Sequence, residues 1–401
     1  MMNKWAALTG LYVVQGLPHG FFGQAMPVLL REQGLDLTLI GMLSLVALPW
    51  AFKFVWAPAL DRVTLRSGEF RRSWIFTMNA CALAMILLLS SQPLESWLEN
   101  GVWLPLLLLI VLNTFIATQD IATDAMAVEN LSVRERGKGN GLQVGAYRVG
   151  MVLAGGLLIS QYGSLGWQGA LWLVAGMMLL GTLPLWFFKP AQHTPPTQPL
   201  MSQWLGFFRL KEAGLWLLLI LFFKFGDAFG TPMIRPMLSD AGLSLEQLGT
   251  LLGTVGFAAG LLGALAGGWL VSVLGRQITL LGFLLLEALA LMSYVGISHT
   301  ADPSLLRVGV AIVLEHVAGG MATAALFTVM MDRCREHSEA ADYALQSCLV
   351  IIAGMVAAAL SGFSAKMLGY DAHFIVSGFL TLAAIPIVWA LIRRGVLKVK
   401  R

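Results

Sequence analysis

The residues of this sequence that are best placed to do chemistry are ionisable side chains inside long apolar segments. A charge in the core of a bilayer costs roughly 3 kcal/mol on insertion scales, so such residues are retained for pairing, ligand contact or proton transfer. The charged residues within predicted membrane segments that we consider are Lys53, Asp120, Arg148, Lys224, Asp227, Glu287 and Glu315. His19 and His316 are nearby titratable residues.

The fourth apolar segment carries a polar stripe. Asn113, Asp120 and Asp124 follow one another at i, i+7 and i+11, on one face of a helix that cannot point at lipid. Asp120 and Arg148 both fall ~9–12 Å from the nearer helix end, so they can pair, as a structural ion pair or within a functional site. Lys53, ~12 Å deep, either snorkels to the surface or lines a cavity. Asp124 lies near the surface, where we expect capping or pairing with loop arginines.

Two helices are predicted to be interrupted at matching positions of the two halves of the chain. Pro18 removes a backbone donor from the first segment, beside His19. An offset of 208 residues places Asp227 at the equivalent position of the seventh segment, next to Lys224 and before Pro232. Interrupted helices in corresponding positions indicate a transport site. Lys224 and Asp227 either neutralise each other or act as a substrate clamp and a proton-coupling carboxylate. Near the middle of the tenth segment, Glu315 and His316 can form a proton relay.

The composition of the chain indicates that these charged residues belong to a membrane protein. Of the 401 residues, 57% are hydrophobic and only 12% are charged, about half the charged fraction of a typical soluble domain. This excludes a soluble enzyme and a disordered chain, and a net charge of +4 excludes a nucleic-acid-binding protein. The three cysteines lack metal-ligand spacing, so we expect no metal site and no cofactor.

Long apolar runs without period-two alternation predict an all-α membrane protein rather than a barrel. We predict twelve transmembrane helices over Trp5–Leu30, Thr38–Leu60, Trp74–Ser91, Trp103–Met126, Asn140–Gln161, Gln168–Phe188, Gly214–Leu238, Leu245–Leu270, Gln277–Ile297, Ser304–Met331, Tyr343–Ala365 and Ala372–Ile392.

A proline-rich linker divides the chain into two halves of six helices. The predicted domains are an N-terminal bundle over 1–188, a linker over 189–213 and a C-terminal bundle over 214–401. Landmarks that repeat at the 208-residue offset, such as Asp124 and Asp332, indicate duplication with a pathway where the halves face each other. With the N-terminus inside, inner segments hold 19 of the 26 Lys and Arg residues and outer segments hold three, which predicts that both termini are cytoplasmic.

Several motifs carry a resemblance to known transporters. The first inner loop contains Asp61-Arg62 and Arg71-Arg72, and the two-half layout with this loop resembles the major facilitator superfamily. Gln15-Gly-Leu-Pro, Leu48-Pro-Trp-x-Phe-Lys53 and Ala117-Thr-Gln-Asp-Ile-Ala-Thr-Asp124 resemble the branch of muropeptide permeases and acetyl-coenzyme-A transporters. The compact length, together with Gln15-Gly-Leu-Pro-x-Gly20-Phe21, is more similar to single-polypeptide siderophore permeases.

The resemblance implies that spans 1, 2, 4, 5, 7, 8, 10 and 11 line a cavity and that spans 3, 6, 9 and 12 are peripheral, which sets Glu287 on span 9 aside. We expect His19, Lys53, Arg148 and Lys224 to bind the substrate, and Asp120, Asp227 or Glu315 to carry the coupling proton. Gating is expected from Asp61, Arg62 and Asp124.

These observations predict a monomeric, proton-coupled importer of the bacterial inner membrane that works by alternating access. A uniporter is the alternative to proton coupling. The expected substrate is a siderophore or ferric-siderophore. A muropeptide or a coenzyme-A thioester is the alternative. An integral-membrane enzyme would need a nucleophile–base or metal constellation, and the histidines lack that motif context.

Overall fold

The computed structural model describes residues 4–32, 34, 42–66, 69–99, 101–197, 199–299 and 303–398. Within these ranges the chain forms helices and no strand. The all-helical prediction is therefore confirmed, and the layout is consistent with twelve helices. The predicted start of the second span, Thr38, lies outside the described residues.

We number the membrane helices α1 to α12 and give their bounds in chain order. They are α1 over 4–32, α2 over 42–60, α3 at Phe70–Leu89, α4 at Trp103–Asn130, α5 over 136–165, α6 over 167–187, α7 over 213–240, α8 over 245–274, α9 at Arg276–Met292, α10 at Leu305–Asp332, α11 at Glu339–Leu368 and α12 over 370–393.

Eight helical stretches in the described residues are long and apolar enough to cross a bilayer. One of them, Arg136–Phe187, contains both α5 and α6, which are separated at Gly166. Gly166 adopts a φ of 62°, a left-handed conformation that favours glycine, and so permits the sharp change of direction.

The chain folds as two compact units. The N unit contains Met1–Asn130, Ala146–Trp204 and Cys334–Cys348. The C unit contains Leu131–Gly145, Leu205–Arg333 and Leu349–Arg401. Each unit thus includes a short segment from the opposite half of the sequence. In both cases this segment contains the first turns of a helix, α5 or α11.

The predicted interruptions are present in α1 and α7. After Pro18 and His19, α1 continues through a π-helical turn at Phe21–Ala25 before regular geometry resumes. In α7, the regular helix ends at Lys224, and a 3-10 turn at Thr231–Met233 follows. Proline cannot donate the backbone hydrogen bond that a continuous helix requires, which accounts for the 3-10 turn that contains Pro232. The break at Lys224 lies eight residues before this proline, so it does not share that cause.

Close contact between α1 and α5 depends on two of the glycines in the N unit. A Cβ atom at Gly16 would lie 2.1 Å from the carbonyl oxygen of Tyr147, and one at Gly20 would lie 2.2 Å from that of Met151. Any larger residue would force the helices apart, as expected for small residues at membrane helix interfaces. The apolar core of this unit lies beside this contact and includes Phe21, whose ring lies 5.9 Å from that of Trp167.

Candidate functional site

A buried ion pair forms the centre of the polar residues of the N unit. Lys53 lies at a 3-10 turn of α2 and is 2% exposed, so its stem does not reach the surface. Its ammonium group binds the carboxylate of Asp120 on α4, which is 5% exposed. Sequence reasoning singled out both residues but did not identify them as partners.

The predicted polar stripe of α4 lies inside the N unit. Side chains from α1 and α2 form hydrogen bonds with α4 at several positions along its length. The indole N–H groups of Trp50 and Trp56 donate to Asn113 at 3.2 Å and to Thr118 at 3.0 Å. The remaining contacts are a hydrogen bond of 3.1 Å from Gln15 to Gln119 and one of 3.2 Å from the Tyr12 hydroxyl to Asp124.

His19 and Arg148 belong to the tightly packed pair α1 and α5. The His19 side chain is exposed, and its ring centroid lies 5.9 Å from that of Tyr147, the residue before Arg148. Arg148 is half-buried. The N unit therefore carries two predicted substrate-binding residues on these helices, in addition to Lys53 on α2.

A second cluster, which we call the Lys224 cluster, lies in the C unit and consists of Lys224, Asp227, Glu287 and Glu315. The Lys224 ammonium group lies 2.7 Å from Asp227 Oδ2, one turn further along the chain, and also binds Glu287 Oε1. Thr231 Oγ1 lies 3.4 Å from both Asp227 Oδ1 and Glu315 Oε1, and so connects the two carboxylates. Glu315 is buried and also contacts the ring of its neighbour His316.

The position of Glu287 corrects the sequence analysis, which set this residue aside because span 9 was expected to be peripheral. Its side chain is fully buried and binds Lys224 directly. Its second oxygen, Oε2, is buried and has no hydrogen-bond partner among the described residues. The helical pattern alone could not reveal this, because it gives the depth of Glu287 in the membrane but not the face that α9 turns towards α7.

The Lys224 cluster contains three carboxylates and one ammonium group. If all four groups were ionised, the cluster would carry two uncompensated negative charges in a buried site, which is energetically unfavourable. The cluster thus places three carboxylates around one shared cation.

A third group of charges surrounds Asp61, at the end of α2. We call it the Asp61 cluster: Asp61, Arg71, Glu129, His193 and Glu339. The Asp61 carboxylate accepts hydrogen bonds of 3.0 Å from the backbone N–H groups of Ala340 and Ala341. It also accepts from Arg71 at 2.7 Å and from Gln203 at 3.0 Å. A carboxylate at the first turn of α11 is stabilised by the free N–H groups and the helix dipole.

His193 connects the predicted linker to the Asp61 cluster. Its Nδ1 lies 2.8 Å from Glu129 Oε1, and its Nε2 lies 2.8 Å from the carbonyl oxygen of Asp61. The two ring nitrogens thus connect the linker to α4 and to the end of α2. Nothing in the local sequence indicated this role, nor the roles of Gln203 and Glu339, because these residues are distant from Asp61 along the chain.

The remaining predicted gating residues, Arg62 and Asp124, also have hydrogen-bond partners in the N unit. Arg62 donates to Gln203 Oε1 at 2.8 Å, and through Gln203 it is connected to Asp61. Asp124 is buried and accepts from Tyr12 as described above.

Three groups of the Asp61 cluster have metal-ligand chemistry: the ligand atoms of Glu129, His193 and Glu339 lie within 4.8 Å of one another. However, Arg71 Nη2 lies 2.7 Å from Glu129 Oε1, 3.1 Å from His193 Nδ1 and 3.7 Å from Glu339 Oε2. A guanidinium group therefore already supplies the positive charge at the position that a metal ion would occupy.

Asp61→Asn is expected to destabilise the first turn of α11. The variant removes a charge that Arg71 and two backbone N–H groups bind in a buried site, and breaking such a pair costs about 3–5 kcal/mol. We expect a lower midpoint of thermal unfolding in detergent and faster hydrogen exchange over residues 339–342. Glu69→Gln is the matched control, because the Glu69–Arg72 pair at 3.4 Å is partly exposed and such pairs contribute about 0–1 kcal/mol. Equal effects of the two variants would contradict this assignment.

Comparison with known proteins places this architecture in a family. The sequence profile of the Major Facilitator Superfamily matches residues 8–346 and 225–401. The anhydromuropeptide permease of Escherichia coli K12 is 31% identical over 390 residues, which cover 95% of this chain and 77% of that protein. An uncharacterised protein of Haemophilus influenzae is 30% identical over 384 residues, 92% of this chain and 89% of that one.

Solved structures share the fold at low sequence identity. The Escherichia coli fucose:proton symporter superposes with a TM-score of 0.73 at 12% identity and covers 96% of this chain and 98% of that one. The human organic anion transporter MFSD10 gives a TM-score of 0.69 at 13% identity, with the same coverage of both chains. These similarities establish the fold alone. Together with the profile match and the whole-chain relatives, they show that this chain is a secondary transporter of the Major Facilitator Superfamily, related to the AmpG-type muropeptide permeases.

Proposed function

We propose that this protein imports muropeptide-type substrates across the bacterial inner membrane, with both termini in the cytoplasm. The observation that carries this proposal is the 31% identity to an anhydromuropeptide permease across 95% of the chain, a span that includes all three charged clusters. Ferric-siderophore import, which the N-terminal motif resemblance favoured, is the alternative that the same experiment tests.

Substrate binding in this proposal uses the cations of the two units. Muropeptides carry peptide carboxylates, and a buried ammonium or guanidinium group can bind such an anion through charge-assisted hydrogen bonds. Lys53 and Lys224 are already oriented by their ion pairs, and Arg148 and His19 lie on α5 and α1. A substrate carboxylate that competes for either lysine displaces a resident carboxylate, which then becomes more basic because it loses its cation.

Proton coupling follows from this competition. When the substrate anion binds Lys224, the carboxylates of Asp227, Glu287 and Glu315 lose part of their compensation and take up a proton. When the substrate leaves, Lys224 returns to them and the proton is released. Asp120 has the same relationship to Lys53 in the N unit. In this scheme the carboxylates carry the proton. The lysines control proton binding, because they pair either with the substrate anion or with the carboxylates.

Gating is assigned to the Asp61 cluster, with Arg62 and Asp124. Its hydrogen bonds hold the end of α2, the linker and the first turn of α11 together within the N unit. Alternating access requires contacts that form in one state and break in another. Because the cluster is built from polar contacts at a helix start, it can separate without exposing a large apolar core.

Uptake by cells that express the chain tests the substrate class. We expect accumulation of radiolabelled anhydromuropeptide in a strain that lacks its own muropeptide permease, with abolition by a proton ionophore. Ferric-siderophore and a coenzyme-A thioester are the parallel probes. Accumulation of one of these probes without anhydromuropeptide would overturn the substrate assignment, and accumulation of none would overturn the importer proposal.

A further inference from the structure

The C unit contains a cationic cavity that the transport scheme does not use. It has a volume of about 250 Å³ and lies between the first residue of α9 and the C-terminal end of α10. Arg136 at the start of α5 and residues 396–398 complete its wall. The charged lining residues are Arg136, Arg276, Arg333 and Lys398 with one carboxylate, Asp332, so the lining has a net charge of +3.

The arginines of this cavity are held in place before any ligand binds. Asp332 accepts from Arg136 at 3.0 Å and from Arg276 at 2.9 Å, one carboxylate oxygen for each. Arg276 also donates to the carbonyl oxygen of Val133 at 2.6 Å, and Arg333 donates to that of Lys211 at 2.8 Å. These contacts fix the side chains and reduce the entropy lost when an anion binds. Among the lining residues, the Asp332 carboxylate offsets one of the four positive charges, and the two carbonyl oxygens carry no full charge.

The chemistry of the walls indicates the class of ligand. Valine and leucine side chains from residues 133, 329, 396 and 397 form an apolar part of the wall, so the lining combines cations with apolar groups. In a chain with only 12% charged residues, four cations around one cavity are a marked concentration. Arginine binds phosphate through two parallel hydrogen bonds, and basic pockets between membrane helices bind anionic headgroups.

We propose that this cavity binds a phosphate-bearing anion. The charge count along the sequence predicts that the cavity lies on the cytoplasmic side, where an anionic phospholipid headgroup and a soluble phosphate ester are both available. Both sources share the phosphate group that the arginines would bind. The apolar wall favours the lipid, whose glycerol and acyl carbons would contact the valine side chains.

Lipid binding to the purified, full-length protein tests the proposal. Native mass spectrometry would compare phosphatidylglycerol and cardiolipin with phosphatidylcholine, and inorganic phosphate and glycerol phosphate would serve as soluble competitors. We expect the anionic lipids to bind at least tenfold more tightly than phosphatidylcholine. The double variant Arg333→Gln/Lys398→Gln should lose this preference, because it removes two charges and leaves the Asp332 pairs intact.

Two further variants make the result decisive. Lys366→Gln, which removes an exposed lysine near the C-terminal end of α11, is the control and should keep the preference. The second variant is Lys398→Glu. Lys398 follows the last helix, so this substitution can weaken anion binding without disturbing the helix bundle. Displacement by glycerol phosphate without any lipid preference would identify a soluble ester as the ligand. Retained lipid preference in both cavity variants, or no binding of either class, would overturn the proposal.

Discussion

Lys53→Met is expected to lower the stability of the protein sharply. The substitution leaves Asp120 buried without its cation, and breaking a buried ion pair from one side costs about 3–5 kcal/mol. Asp120→Asn should have a similar effect, because it leaves the buried Lys53 ammonium group without its anion. The double variant should recover most of the loss, because neither charge then remains unpaired. The midpoint of thermal unfolding in detergent measures all three.

Uptake by the double variant then separates structure from function. If Lys53 binds the substrate anion as proposed, Lys53→Met/Asp120→Asn will be stable yet take up less than a tenth of the wild-type amount of anhydromuropeptide. Normal uptake by a stable double variant would show that the pair only holds α2 against α4. No recovery of stability in the double variant would contradict the pairing itself.

Glu287→Gln is expected to abolish uphill accumulation while it preserves exchange of substrate across the membrane. The variant removes one of three carboxylates around Lys224 and keeps the shape of the side chain, so binding persists while proton binding is lost. Accumulation against a gradient should fall at least tenfold in proteoliposomes. Counterflow, which needs no net proton movement, should stay within about twofold of the wild-type rate.

The control for this experiment is Glu246→Gln, an exposed carboxylate near the start of α8 that has no proposed part in coupling. It should behave as wild type in both assays. Asp227→Asn should resemble Glu287→Gln, since both carboxylates bind the same ammonium group. Loss of counterflow together with accumulation would instead mean that Glu287 is needed for binding or folding.

The sequence predicted the helices well because bilayer physics acts on composition and length. The helical class and the two breaks near Pro18 and Pro232 follow from local rules on apolar runs and proline. The pairing of Lys224 with Asp227 was also anticipated as one of two alternatives, because it depends only on a spacing of three residues.

The partners across helices were not predictable in the same way. Lys53 and Asp120 are 67 residues apart, and Glu287 and Lys224 are 63 apart. Periodicity gives the depth of each residue in the membrane, whereas these pairs depend on how each helix is rotated about its axis. The partners of Asp61 are still further apart in the sequence, because they come from the linker and from α11.

Substrate-driven proton movement in proteoliposomes is the most direct test of the central claim, that the Lys224 cluster couples transport to protons. With the purified protein and a pH-sensitive dye outside the vesicles, addition of anhydromuropeptide should make the external medium more alkaline as protons enter with the substrate. Glu287→Gln should abolish this signal while counterflow continues. Accumulation of labelled substrate without any change in external pH would contradict the account.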